Sequence, residues 1–388
     1  MINYDKILSE KVKTIKPSGI RKFFDLAAEM QGVISLGVGE PDFKTPWNVR
    51  EAGINSLQDG KTRYTANAGL IQLREEICNY LDRRFLLKYN PQNEVLVTVG
   101  GSEAIDICIR ALVNPDDEVL IPEPCFVAYS PIAALTGGKP VPIETKAEDN
   151  FRLTAQALKA AITEKTKLLI FPFPNNPTGA VMRREHLEEI ADVLKGTDII
   201  VLSDEIYAEL TYSGDHVSIA SIGDMAERTV VVNGFSKAYS MTGWRLGYAA
   251  GPAPIIKQMT KIHQFAIMSS PTTSQYAAIE ALKSCDGAIK KMRDEYNMRR
   301  RLMIDSLNNM GLTCFEPEGA FYVFPSIKST GLSSEEFCER LLMEKKVAVV
   351  PGGAFGESGE GFVRISYSYS INHLIEALGK IEEFVKSL

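Results

Sequence analysis

The sequence is poor in the residues that build metal centres and disulfide frameworks. It has 4 histidines and 6 cysteines in 388 residues. The cysteines (Cys78, Cys108, Cys125, Cys285, Cys314 and Cys338) are scattered without a CxxC pair, the pattern of reduced thiols in a cytoplasmic protein. The histidines (His186, His216, His263 and His373) show no HxxxH spacing, so no metal site is expected. Basic charge is also short. Lys+Arg 43 against Asp+Glu 49 leaves a net charge of −6 with no Lys/Arg stripe, which argues against nucleic acid as a partner. No apolar run reaches the roughly 18 residues that span a bilayer. The segment MINYDKILSEKVKTIKPSGIRKF lacks the apolar centre of a secretion signal. Three familiar signatures are missing as well: a GxGxxG after an early strand, a GxxxxGK[ST] loop and a GxSxG elbow.

What is present is ordinary globular material, 45% hydrophobic and 24% charged, in a chain long enough for two or three domains. Seven strand candidates follow one another: EVLVTVGG (94–101), EVLIPEP (118–124), KPVPIE (139–144), KLLIFPF (167–173), DIIVLSDE (198–205), TVVVNGFS (229–236) and LGYAAGP (246–252). Helical patterns such as SEAIDICIRAL and REHLEEIADVLKG separate many of them. Nearly continuous apolar strands alternating with helices predict an α/β fold with a mostly parallel seven-stranded sheet. From residue 286 the pattern changes to one long amphipathic helix stopping at Gly311, then short strands and two further helices, a smaller α+β unit.

Ligands of such sheets collect at the carboxyl ends of the strands. The segment TVVVNGFSKAYSMTGWRLGYAAG puts Lys237 directly after an apolar strand, with Arg245 eight residues on. A lone Ser-Lys is usually a solvated loop. Here apolar sequence on both sides encloses it, and enclosure beside a cation lowers a lysine's pKa from its usual value of about 10.4. Such an amine attacks carbonyls and forms a Schiff base. A buried lysine of this kind calls for pyridoxal phosphate, whose phosphate, ring nitrogen and O3′ each need partners. The turn Gly101-Ser102-Glu103 opens a helix and offers amides to an anion, with Ser236 and Arg245 completing the cup. Asp204 suits the ring nitrogen, and Tyr207 and Asn176 suit O3′. Taken singly, Asp204 also reads as a helix cap, Asn176 as a turn former and Ser102 as an N-cap.

The segments SLGVGEPDF, RYTANAG, VTVGGSEAI, PEPCFVAY, FPNNPTGAV, LSDEIYAEL, NGFSKAYSMTGWRLGY, EGAFYVFPSI, VAVVPGGAFG and FVRISYS resemble, in order, those of class I/II aminotransferases. That is the aspartate-aminotransferase branch of the fold-type I PLP-dependent transferases. The subgroup it resembles holds aspartate, aromatic and N-acetyl-diaminopimelate aminotransferases. The resemblance implies a large PLP-binding domain over 46–285 and a smaller α+β domain made of 1–45 and 286–388. It implies transfer of an amino group between an L-amino acid and 2-oxoglutarate, in a homodimer with shared active sites, away from membranes.

Carried over residue by residue, the resemblance makes Lys237, Asp204 and Tyr207 catalytic. Gly101, Ser102, Glu103, Ser236 and Arg245 surround the phosphate, and Tyr64 reaches the phosphate of the other subunit. Phe126 stacks on the ring where many relatives carry Trp or Tyr, and Gly234 stands where many carry Ser. Gly39, Asn176 and Arg364 line the substrate, with Arg364 gripping its α-carboxylate as a bidentate pair. Arg21, in PSGIRKFFDLAAEM, is placed over the pocket to pair with a distal carboxylate. The competing reading makes Arg21 a solvated face of a short helix. Two other functions stay open: a carbon–sulfur β-lyase on the same fold, and a PLP-sensing regulatory domain. The second carries a winged-helix module ahead of the fold, and none is expected ahead of SLGVGEPDF.

Overall fold

All seven runs become strands of one sheet. Numbered along the chain, the strands are β1 (Ile34–Ser35), β2 (Val95–Thr98), β3 (Glu118–Glu123), β4 (Lys139–Glu144), β5 (Thr166–Phe171), β6 (Ile200–Asp204), β7 (Thr229–Gly234) and β8 (Gly247–Ala250). Four short ones follow: β9 (Tyr322–Val323), β10 (Val347–Ala348), β11 (Val350–Pro351) and β12 (Val363–Ser366). The structure, a computed structural model, describes residues 2–15 and 30–388.

The large sheet has the order β2-β8-β7-β6-β5-β3-β4. Only β8 runs against the others, pairing antiparallel with both β2 and β7. Its central strands β6, β7 and β8 are buried on both faces, which is why they read as continuous apolar runs rather than alternating ones. Val95, Val97 and Val231 pack on one side with the helix Ile71–Phe85 and the helix Thr272–Ser284. Leu96, Leu202, Val230 and Val232 pack on the other with the helices Gly100–Leu112 and Ala253–Ala266. Pro140 and Pro142 sit in β4, an edge strand, where a missing amide donor costs no ladder bond.

The long helix occurs as Asp286–Asn309. Its first turn buries Ile289 in the core of the large sheet, while Met292, Tyr296, Met303 and Leu307 belong to a second core. That second core also holds the helices Ser334–Lys345 and Ile371–Lys386 and the strands β9 and β12 of the antiparallel sheet β11-β12-β9, whereas Val350 of β11 packs in another core. β1 pairs with β10 in parallel, so the segment after residue 30 lies against the C-terminal strands. Among the described residues no helix is long and apolar enough to cross a membrane.

Candidate active site

Because β8 runs backwards, Arg245, two residues before it, arrives at the same sheet edge as the ends of its neighbours. Gly247 is level with Gly234 of β7 and Thr98 of β2. A cavity of about 810 Å³ opens at this edge and is lined by residues that follow β2, β5, β6 and β7. Three cations (Lys237, Arg245 and Arg364) and two carboxylates (Glu40 and Asp204) face into it, a balance that favours an anionic guest.

The Lys237 amine donates to the Gly39 carbonyl at 2.5 Å. Burial, with the Arg364 guanidinium beside it, lowers the amine's pKa to about 8. Asp204 closes β6 and is buried. Its Oδ2 accepts from the Tyr129 hydroxyl at 2.7 Å and its Oδ1 from the Ile206 amide at 3.2 Å. Desolvation still raises its pKa to about 6, since two neutral donors offset only part of the cost of a buried charge. Tyr207 lies three residues on, its hydroxyl 2.8 Å from that of Tyr322.

The turn after β2 is held from behind. Gly100 has a φ of +75°, and a Cβ there would lie 2.7 Å from Arg245 Nη2. A Cβ on Gly247 would meet the Gly100 carbonyl carbon and the Gly101 amide nitrogen at 2.6 Å. The guanidinium and β8 therefore touch the backbone directly. Side chains on either glycine would push them away. The helix Gly100–Leu112 has no side-chain cap, so its first amides are free for an anion. Ser102 and Ser236 line the same space. The Glu103 carboxylate instead turns back to the Val99 amide and His263 Nδ1. What this turn offers an anion is thus its backbone and the Ser102 hydroxyl.

Arg364, in β12, is buried between the Tyr322 and Phe355 rings, 4.6 and 4.7 Å from their centres. Its Nη1 donates to Asn176 Oδ1 at 2.8 Å and its Nη2 to the Gly37 carbonyl. Among the described residues its Nε has no hydrogen-bond partner. A buried guanidinium with an unused donor is costly unless an anion joins it.

Lys237, Asp204, Tyr207, Asn176, Gly101, Ser102, Phe126, Ser236, Arg245, Gly39 and Arg364 all line this one cavity. Tyr64 does not; it is 81% exposed on the outside of the chain. Arg21 lies outside the described residues. Gly234 faces Gly247 across the ladder, where a Cβ would come within 3.1 Å of the Leu246 carbonyl. Sequence reasoning missed Tyr129 and Tyr322. Tyr129 had a signal in its spacing, three residues after Phe126 and hence near it once the segment turns. Tyr322, inside the apolar run AFYVF, reads as core. Among the described residues no group of three or more His, Cys, Asp or Glu side chains could hold a metal ion.

Comparison with known proteins matches residues 31–381 to the family model described as aminotransferase class I and II. The chain is 48% identical over 382 residues to an aspartate aminotransferase of Pyrococcus abyssi (strain GE5 / Orsay), covering 98% of each chain. It is 44% identical over 382 residues to aromatic-amino-acid aminotransferase 2 of Thermococcus litoralis, again with 98% of each chain covered. Among solved structures, it is similar to the aspartate aminotransferase of Thermus thermophilus with maleate, with a TM-score of 0.93 and 38% identity over 97% of this chain and 99% of that one.

Proposed function

This chain belongs to the class I and II aminotransferases, and from that premise we propose that Lys237 holds pyridoxal 5′-phosphate in the cavity described above. The chain is an aminotransferase of the PLP-dependent fold-type I class. The observation that carries the proposal is one cavity holding an enclosed amine, a buried carboxylate and a buried guanidinium with an unused donor.

The residues fit the cofactor. The amides opening the helix at Gly100, together with Arg245, Ser102 and Ser236, suit its phosphate. Asp204 at the end of β6 suits the ring nitrogen, because a proton held there offsets the burial of the carboxylate. Tyr207 and Asn176 supply hydroxyl and amide groups for O3′, and Phe126 gives an apolar face to the ring. When bound, pyridoxal phosphate supplies an electron sink for the charge left at the substrate Cα. Arg364 binds the substrate α-carboxylate through Nε and an Nη, fixing Cα near Lys237. The Lys237 amine would then carry the proton from the substrate Cα to the cofactor's C4′, a transfer that a pKa of about 8 suits.

For the donor we infer an L-amino acid of the aspartate, aromatic or N-acetyl-diaminopimelate type, with 2-oxoglutarate as acceptor. The relatives' names include aspartate, aromatic and N-acetyl-LL-diaminopimelate aminotransferases, and one structure holds maleate, a dicarboxylate. A β-lyase reading has no specific observation in its favour. The test is Lys237→Ala. This variant should lose nearly all keto-acid formation and the visible absorbance of bound cofactor, while its far-UV circular dichroism stays native. Normal turnover would refute the reading. A structural lysine would instead lower stability and leave the activity of each folded molecule intact.

A further inference from the structure

We propose that Tyr322 is a positioning residue: its hydroxyl polarises that of Tyr207, and its ring holds the Arg364 guanidinium. The inference rests on the cofactor reading above and assigns a role to a residue which that reading leaves idle.

Tyr322 is 1% exposed and lines the cavity from β9. Its hydroxyl meets Tyr207 at 2.8 Å, and it presses so closely on Gly39 that a Cβ there would lie 2.0 Å from it. Among the described residues neither tyrosine hydroxyl has another hydrogen-bond partner. The Gly39 carbonyl is already taken by Lys237. Burial keeps both phenols protonated at neutral pH. Two protons therefore share one hydrogen bond, and one proton is left over for an acceptor in the cavity. Two cations bear on the direction: Arg364 sits 4.6 Å over the Tyr322 ring and Lys237 5.7 Å over the Tyr207 ring, and the nearer positive charge makes its phenol the better donor. Tyr322 thus donates to Tyr207, and Tyr207 donates into the cavity, toward the place assigned to O3′. A donor whose own oxygen accepts a hydrogen bond is strengthened.

The sheet register explains the second contact. Tyr322 of β9 stands opposite Ser366 of β12, and Arg364 lies two residues from Ser366 on the same face. That diagonal places a ring under a guanidinium. One side chain thus touches the hydroxyl assigned to the cofactor, the arginine assigned to the substrate and the loop that accepts from Lys237.

Tyr322→Phe removes the hydroxyl and keeps the ring; Tyr322→Leu removes both. The readout is the pH midpoint at which the visible band of the holoenzyme changes, together with KM for the amino donor. With less donation from Tyr207, O3′ keeps more negative charge and holds the adjacent proton to higher pH. Tyr322→Phe should therefore raise the midpoint by about half a unit or more, from a hydrogen bond of ordinary strength, and leave KM within about twofold. In a Tyr207→Phe background the same change should move the midpoint no further. Tyr322→Leu should also raise KM roughly fivefold, as expected for loss of a desolvated cation–π contact. A wild-type band with an unshifted midpoint in Tyr322→Phe would overturn this inference alone. So would a full shift that persists without the Tyr207 hydroxyl. A wild-type protein with no such band would overturn the cofactor reading and this inference together.

Discussion

At Lys237 burial favours the neutral amine, and on the apoprotein this effect is separable from catalysis. With a pKa of about 8, roughly one amine in ten is neutral at pH 7, against about one in several thousand for an ordinary lysine. Reductive trapping of a simple aldehyde at Lys237, followed by mass spectrometry, should speed up with pH to about 8 and then level off. Surface lysines should keep accelerating toward pH 10. A Lys237 rate that climbs with theirs would place its amine in solvent. Asp204 has the opposite sign. Its folded-state pKa of about 6 lies above the usual 3.8, so the folded apoprotein binds the proton more tightly than the unfolded chain. Stability is then lost as pH rises from about 4 to about 6. Asp204→Asn should raise the apoprotein's Tm at pH 8, show little gain below pH 4, and abolish turnover. Equal Tm values for the two apoproteins at both pH values would remove the burial argument. The chain pays stability at this residue, and the ring nitrogen is the partner that returns it.

Among the elements, β8 matters most, because its reversed direction brings Arg245 and the glycine-lined backbone to the phosphate cup. Gly247→Ala puts a methyl group 2.6 Å from the Gly100–Gly101 peptide, which must shift. Overpacking of this kind costs about 1–3 kcal/mol, so affinity for pyridoxal phosphate should fall roughly fivefold or more. Gly287→Ala is the control: a Cβ there meets nothing within 4 Å, and cofactor affinity should not change. Equal cofactor affinities in the two variants would mean that the turn tolerates movement and that β8 does not set it. Helix Gly100–Leu112 shows how much of the cup was legible. Its glycine turn and free amides follow from VTVGGSEAI, whereas the outward turn of Glu103 depends on His263, from a helix 160 residues away in sequence.

For the whole molecule, the unexplained feature is Tyr64, 81% exposed although it resembles a phosphate ligand. Phe265, at 85%, and Trp47, at 58%, are also bare. We propose that a second copy of the chain covers Tyr64 and receives it into its own cavity. Complementation tests it. A Tyr64 variant and Lys237→Ala, mixed and allowed to exchange subunits, should together exceed the sum of their separate activities. In a twofold-symmetric dimer with random exchange, about a quarter of the sites regain both residues. Demonstrated exchange without any gain would assign Tyr64 to its own chain.

The sequence by itself determined the class of fold and the local chemistry. The seven strands and their ends at Gly101, Asp204 and Lys237 follow from short-range pattern, because apolar runs and turn residues act within a few positions. The stretch from Ser236 to Arg245 even carries lysine and arginine in one segment. The tertiary structure decided which side chains meet. Arg364 reaches Asn176, 188 residues away, and Tyr322 reaches Tyr207, 115 residues away. Tyr129 finds Asp204 across 75 residues. Strand order, the single reversal at β8 and the diagonal of β9 on β12 create those meetings, and no local pattern encodes them. Burial then sets the pKa values, because desolvation exists only once the cavity has closed.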